Sequence, residues 1–189
     1  MTAEPIDFRR QYTVAEFAAL PEDNSARYEL EEGHLVVSPR PSNAHTKVIF
    51  RLCEQIEAQL PADLTTMSEV DVDLQLSVPV VRIPDIVVVP AILEDAKRMV
   101  TAADVVLVIE VISPGSVRTD TKVKPLEYAD AGIPSMWLID QDRPVSATIL
   151  TSIDGEYEES QRAEHRFSVL EPLPLTIDLD KLRRSPDRG

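Results

Sequence analysis

The spacing of apolar residues changes along the chain, and each change marks a predicted element. From Ser42 to Leu60, Val48, Ile49, Leu52, Ile56 and Leu60 recur at helical spacing. They form one face of an amphipathic helix capped by Ser42 or Asn43. "TVAEFAALPE" predicts a shorter helix, with Thr13 and Glu16 as a capping box and Pro21 as its stop. "RYELEEGHLVVSP" reads as a β-hairpin with arms Arg27–Leu30 and His34–Ser38 and a turn at Glu32-Gly33. "EVDVDLQLS" alternates acidic and apolar residues, the pattern of a half-buried strand. "IPDIVVVP" and "DVVLVIEVIS" are continuous apolar runs and predict buried strands. Asp120 to Ala131 reads as a further helix, stopped by Gly132 and Pro134. "SMWLID" is a strand whose Met136 and Trp137 belong in the core, and "VSATILTSIDGEYEES" is a hairpin turning at Asp154-Gly155. "DLDKLRRSPDRG" begins ordered and ends as a basic tail.

This order predicts an α/β or α+β fold: a central mixed sheet flanked by helices, with an N-terminal helix and hairpin. The 189 residues suit one domain at 12–180, with an arm at 1–11 and a tail at 181–189. No apolar run reaches the roughly 18 residues of a membrane span, and "MTAEPIDFRRQY" lacks the apolar region of a secretory signal. Cys53 lies on the helical pattern, so a reduced, buried thiol and a cytoplasmic location are expected. Cys53 and the scattered His34, His45 and His165 give no zinc-ligand spacing. The formal net charge of −14 repels nucleic acid at long range. Basic residues nevertheless cluster at Arg9-Arg10, around Arg27 and Arg40, at Arg118 with Lys122, and in the tail.

Two carboxylates interrupt the most apolar runs. Glu110 stands inside "VVLVIEVIS", and Asp85 opens "DIVVVP". An unpaired buried carboxylate costs several kcal/mol, so Glu110 demands a partner. Alternation puts Glu110 on a face with Val106 and Val108, and Asp85 on a face with Val87 and Val89. On neighbouring strands the two acids would converge, and a hard divalent cation would neutralise the pair. Lys124 shares a helix face with Asp120 and Tyr128, so it points back at the strand ends while Lys122 faces solvent. Arg118 lies in the loop between Glu110 and Lys124, where a phosphate would approach.

Pro84-Asp85, "EVISP" at Glu110–Pro114 and "RTDTKVKPLEYADAGIPSMWLID", with "RYELEEGHLVVSPRPSNAHTKVIFRL" upstream, resemble the Uma2 (DUF820) restriction-endonuclease family of the PD-(D/E)XK nuclease superfamily. The resemblance covers roughly residues 12–145. It implies a restriction-endonuclease-like core and a Mg²⁺ ion, replaceable by Mn²⁺, bound by Asp85 and Glu110. The superfamily's lysine position, two residues after the second acid, is Ile112 here; the resemblance assigns its role to Lys124, which would orient or activate the attacking water. Glu29 in "RYEL" matches a family acid that completes the site, and His45 matches a recurring histidine. The implied activity is metal-dependent endonucleolytic hydrolysis of nucleic acid, DNA foremost, by a homo-oligomer with a dimer favoured. Two other readings stay open: a nuclease fold that only binds or assembles, and a metal-dependent hydrolase of small phosphate esters, which the acidic surface would suit.

Overall fold

The structure, a computed structural model, describes residues 6–21, 26–38 and 41–183. The start of the predicted arm, Arg40 and the end of the tail lie outside the described residues. Helix α1 (Val14–Ala18) begins at the expected capping box: the Glu16 N–H donates to Thr13 Oγ1 at 3.2 Å and the Thr13 N–H to Glu16 at 2.9 Å. Strands β1 (Arg27–Glu31) and β2 (His34–Ser38) pair antiparallel across Glu32 and Gly33, whose φ values of 49° and 82° are the left-handed pair that a tight hairpin turn requires. Helix α2 (Asn43–Glu57) is capped by Ser42, whose hydroxyl accepts the His45 N–H at 3.2 Å. It ends short of Leu60 and buries Val48, Ile49, Leu52 and Ile56.

Strands β3 (Leu64–Ser68), β4 (Val72–Asp73), β5 (Val81–Arg82), β6 (Ile86–Pro90), β7 (Val100–Thr101) and β8 (Leu107–Ile112) follow. After them come α3 (Lys124–Asp130), β9 (Ser135–Asp140), β10 (Ser146–Ile153), β11 (Glu156–Glu164), β12 (Arg166–Val169) and β13 (Leu175–Asp178). A six-stranded sheet has the order β11-β10-β9-β8-β6-β3. Within it β8 and β9 run parallel and the other pairs antiparallel. Parallel neighbours need a crossover, and α3 lies on it. A five-stranded sheet has the order β2-β1-β5-β4-β7, and β12 pairs with β13. The result is a mixed α+β fold with few helices.

The six-stranded sheet is covered on both faces. Ile86, Val88, Ile109, Val111 and Trp137 pack with Leu52 and Ile56 of α2 and with Phe167 and Ile177 of the β12–β13 pair. Val87, Val89, Val108 and Met136 point the other way, against Tyr128 of α3, Ile133, and Val72 and Val100 of the five-stranded sheet. Each such fully buried side chain stabilises the fold by about 1.5–3 kcal/mol relative to exposure. The continuous apolar runs are therefore strands buried on both sides, as their sequence implies.

Several expectations need correction. "EVDVDLQLS" buries Val72 and Leu74 in alternation but pairs only over Val72–Asp73. The Asp73 carboxylate accepts the Gln75 N–H at 2.9 Å and Gln75 has a φ of 53°, so a local turn ends the strand. Strand β3 and the β12–β13 pair were not anticipated. The second long helix is divided: Thr119–Val123 is a π-helical turn, and α-helix begins at Lys124. Cys53 is half-buried rather than buried. Among the described residues no helix is long and apolar enough to cross a membrane.

Candidate active site

The chain passes from the five-stranded to the six-stranded sheet at Ile83-Pro84-Asp85, between β5 and β6. Asp85 thus stands at the seam of the two sheets. The β6–β8 register pairs Ile86 with Ile109, which brings Asp85 beside Glu110. Asp85 Oδ2 accepts the Val111 N–H at 2.7 Å, which extends the ladder by a side chain. Its Oδ1 lies 3.0 Å from His45 Nε2. A carboxylate only accepts, so Nε2 carries the hydrogen, and His45 Nδ1 is left buried without a partner among the described residues.

Glu110 is 1% exposed, and its Oε1 accepts from Lys124 Nζ at 2.8 Å and from Tyr128 Oη at 2.7 Å. Lys124 Nζ also lies 3.3 Å from Asp120 Oδ1, and Asp120 accepts from the Ser116 hydroxyl. Asp120 is therefore a buried member of the cluster. Lys124 lies inside and Lys122 is exposed, as the helix-face argument requires.

Glu29 comes from the other sheet. It accepts the Ile83 N–H at 2.9 Å, the Ser38 hydroxyl at 3.3 Å and Arg82 Nη1 at 3.4 Å. Arg82, 1% exposed, also holds Glu127 of α3 through two bonds of 2.7 and 2.6 Å. One guanidinium thereby ties the strand carrying Glu29 to the helix carrying Lys124. Sequence reasoning did not select Arg82, Tyr128 or Asp120 as site residues. The signal for Arg82 was the same as for Glu110: a charged residue inside an apolar run, "VPVVRIP".

Glu29, His45, Asp85, Glu110, Asp120 and Lys124 line one cavity of about 270 Å³. Its lining also includes the Ser113–Ser116 turn and Gln141. Arg118 is exposed and is not among the lining residues. Burial raises the Glu110 carboxyl to about 8; Lys124 opposes the rise, while Asp85 and Asp120 add to it. Burial alone would lower the Lys124 ammonium, but Glu110, Glu29 and Asp120 outweigh it and hold Lys124 above its usual value. Burial likewise raises Asp120.

Among the described residues no three His, Cys, Asp or Glu side chains are gathered as a ready metal cage. The carboxylates lining the cavity, Glu29, Asp85, Glu110 and Asp120, offer oxygen donors, and His45 is the one imidazole beside them. A hard cation such as Mg²⁺ binds through one or two carboxylates and keeps waters in its other positions, so the donor set fits such an ion. The surplus of carboxylates over cations in the pocket also favours added positive charge.

The mixed α+β fold thus sets carboxylates and a buried lysine at the seam of its two sheets. The Uma2 family, described as "Putative restriction endonuclease", matches residues 14–181, and the chain belongs to that family. The fold is similar to the crystal structure of a putative nuclease belonging to DUF820 from Anabaena variabilis, with a TM-score of 0.69 and 21% identity. That alignment covers 90% of this chain and 97% of the other. No curated protein matches the chain.

Proposed function

We propose that the protein is a Mg²⁺-dependent endonuclease that hydrolyses phosphodiester bonds of DNA, with Asp85 and Glu110 as metal ligands and Lys124 beside the reacting phosphate. The observation that carries this reading is the placement of Asp85, Glu110 and Lys124 on one cavity, with Lys124 Nζ 2.8 Å from Glu110. When bound, the ion supplies Lewis acidity and a more acidic water.

The chain's own residues do the rest. Lys124 sets a fixed positive charge where the pentacovalent phosphate gathers negative charge. Tyr128 and Lys124 fix the Glu110 carboxylate from one side, which aims it into the cavity. The Val111 N–H and His45 orient Asp85 in the same way. Glu29 lines the same pocket, held by the Ile83 N–H, where it can accept a hydrogen bond from a water. The buried walls hold these charges in a less polar medium than water, so each interaction is stronger there.

Purified protein with Mg²⁺ or Mn²⁺ is expected to nick plasmid DNA, and Lys124→Ala is expected to abolish nicking while the folded signal persists. No cleavage of single- or double-stranded DNA or RNA with either metal would sink this reading. Turnover of a small phosphodiester without cleavage of any polymer would replace it with the small-ester hydrolase.

A further inference from the structure

Outside the pocket, one stretch of surface departs from the acidic character of the chain. Lys47 and Arg51 are four residues apart on α2 and share a face, about 6 Å along the axis. Arg183 meets them from the C-terminal end. With Ala44 and Leu182 these three cations line a groove of about 410 Å³ that includes no carboxylate among its lining residues. In a chain with 33 acidic and 19 basic residues, three cations grouped without an acid are unusual.

Nor are these charges neutralised by the contacts they make. Arg51 donates to the Leu182 carbonyl at 2.8 Å and Arg183 to the Gln141 carbonyl at 2.9 Å, so both guanidiniums are anchored on neutral acceptors. Lys47 Nζ lies 5.5 Å from the ring centre of Phe50, which is 54% exposed. None of the three forms an ion pair among the described residues. Anchored, uncompensated cations beside an open aromatic face match how proteins hold a nucleic-acid strand: charge for phosphates, a ring for a base.

The groove also lies beside the pocket. Ser42 and His45 line the pocket, whereas Lys47 and Arg51 lie about 200–240° around α2 from His45, so the link between groove and pocket runs through the C-terminal segment. Gln141 lines the pocket too, and its carbonyl holds Arg183.

We propose that the Lys47–Arg51–Arg183 groove binds the phosphate backbone of the nucleic acid whose reacting phosphate enters the Asp85–Glu110 cavity. This inference rests on the nuclease reading for its occupant. It explains how so acidic a protein receives a polyanion: the charge is sorted, with cations in one groove beside the site.

The test measures binding apart from chemistry. Fluorescence anisotropy of labelled single- and double-stranded DNA, with EDTA present, is followed over roughly 50 to 200 mM salt. The triple variant K47A/R51A/R183A is expected to bind at least about tenfold more weakly at low salt and to lower the slope of log K against log salt by about two to three. K47A alone, at an exposed position, should lower the slope by about one. R51K and R183K should retain binding, which separates charge from the loss of carbonyl contacts, and K97A, at an exposed site elsewhere, should change nothing. Unchanged affinity and slope in the triple variant, or no binding of either DNA by the wild type, overturns the proposal. Cleavage that persists with unaltered binding in the triple variant defeats the groove and spares the nuclease reading. Binding lost in the triple variant without cleavage under any metal does the reverse.

Discussion

Asp85 and Glu110 face each other across the end of the β6–β8 pair, and the Asp85 carboxylate takes the Val111 N–H at 2.7 Å in place of a backbone carbonyl. The pair is therefore held by sheet register and not by flexible loops. If it holds a cation, calorimetric titration of the wild type with Mn²⁺ should show one site per chain. Asp85→Asn and Glu110→Gln should each weaken it by tenfold or more, since each removes half of the charged donor set. Equal Mn²⁺ affinity in both variants and the wild type would rule out the pair as the site.

Arg82 should be worth more to stability than its place on a two-residue strand suggests. Its removal takes the guanidinium from buried Glu29 and half-buried Glu127. Arg82→Ala is expected to cost about 3–5 kcal/mol in denaturant unfolding, the scale for breaking one side of a buried pair. Arg82→Lys should cost less but not nothing, because a lysine cannot reproduce the forked contact with Glu127.

Tyr128→Phe removes one of two donors to Glu110 Oε1 without opening a cavity. A cost of about 1.5–3 kcal/mol is expected in urea unfolding at about pH 9, where Glu110 is ionised, the range for a hydrogen bond to a charged group. Leu126→Ala on the same helix, at a position 70% exposed, should change stability by less than about 0.5 kcal/mol. A Tyr128→Phe protein as stable as Leu126→Ala would mean that the hydroxyl contributes nothing.

The raised Glu110 carboxyl makes a pH prediction. Its folded value of about 8 lies above the unfolded 4.5, so the native state holds that proton more tightly. The associated stability is full below the lower value and is lost as the pH rises through the upper one. Metal-free protein should melt at a lower temperature at about pH 9 than at about pH 5, and Glu110→Gln should show a smaller drop. Saturating Mn²⁺ at the higher pH should restore the wild type but not the variant. The same drop in both proteins would assign the effect to other groups.

Much of the site was legible because its signals are local. A period of two puts Asp85 with Val87 and Glu110 with Val108, and the structure keeps both pairs on one face. The four-residue spacing of Asp120, Lys124 and Tyr128 survives the π-helical turn well enough to set Lys124 and Tyr128 on Glu110 and Asp120 on Lys124. What stayed hidden depends on contacts between distant segments. The role of Arg82 needs Glu29 and Glu127, which lie 53 and 45 residues away. Strand β3 carries two threonines in "LTTMS", too polar a run to declare itself without its partner β6. Arg118 looked close to the site by count along the chain, but the turn after β8 leaves it exposed.

The seam at Ile83-Pro84-Asp85 has a further consequence. Glu29 belongs to one sheet, and Glu110 and the helix bearing Lys124 belong with the other, so neither half carries the full set of charges. A partly folded chain with only one sheet formed would possess no competent pocket. Docking of the two sheets would then act as a safeguard: on the nuclease reading proposed above, activity would appear only once the whole molecule is assembled.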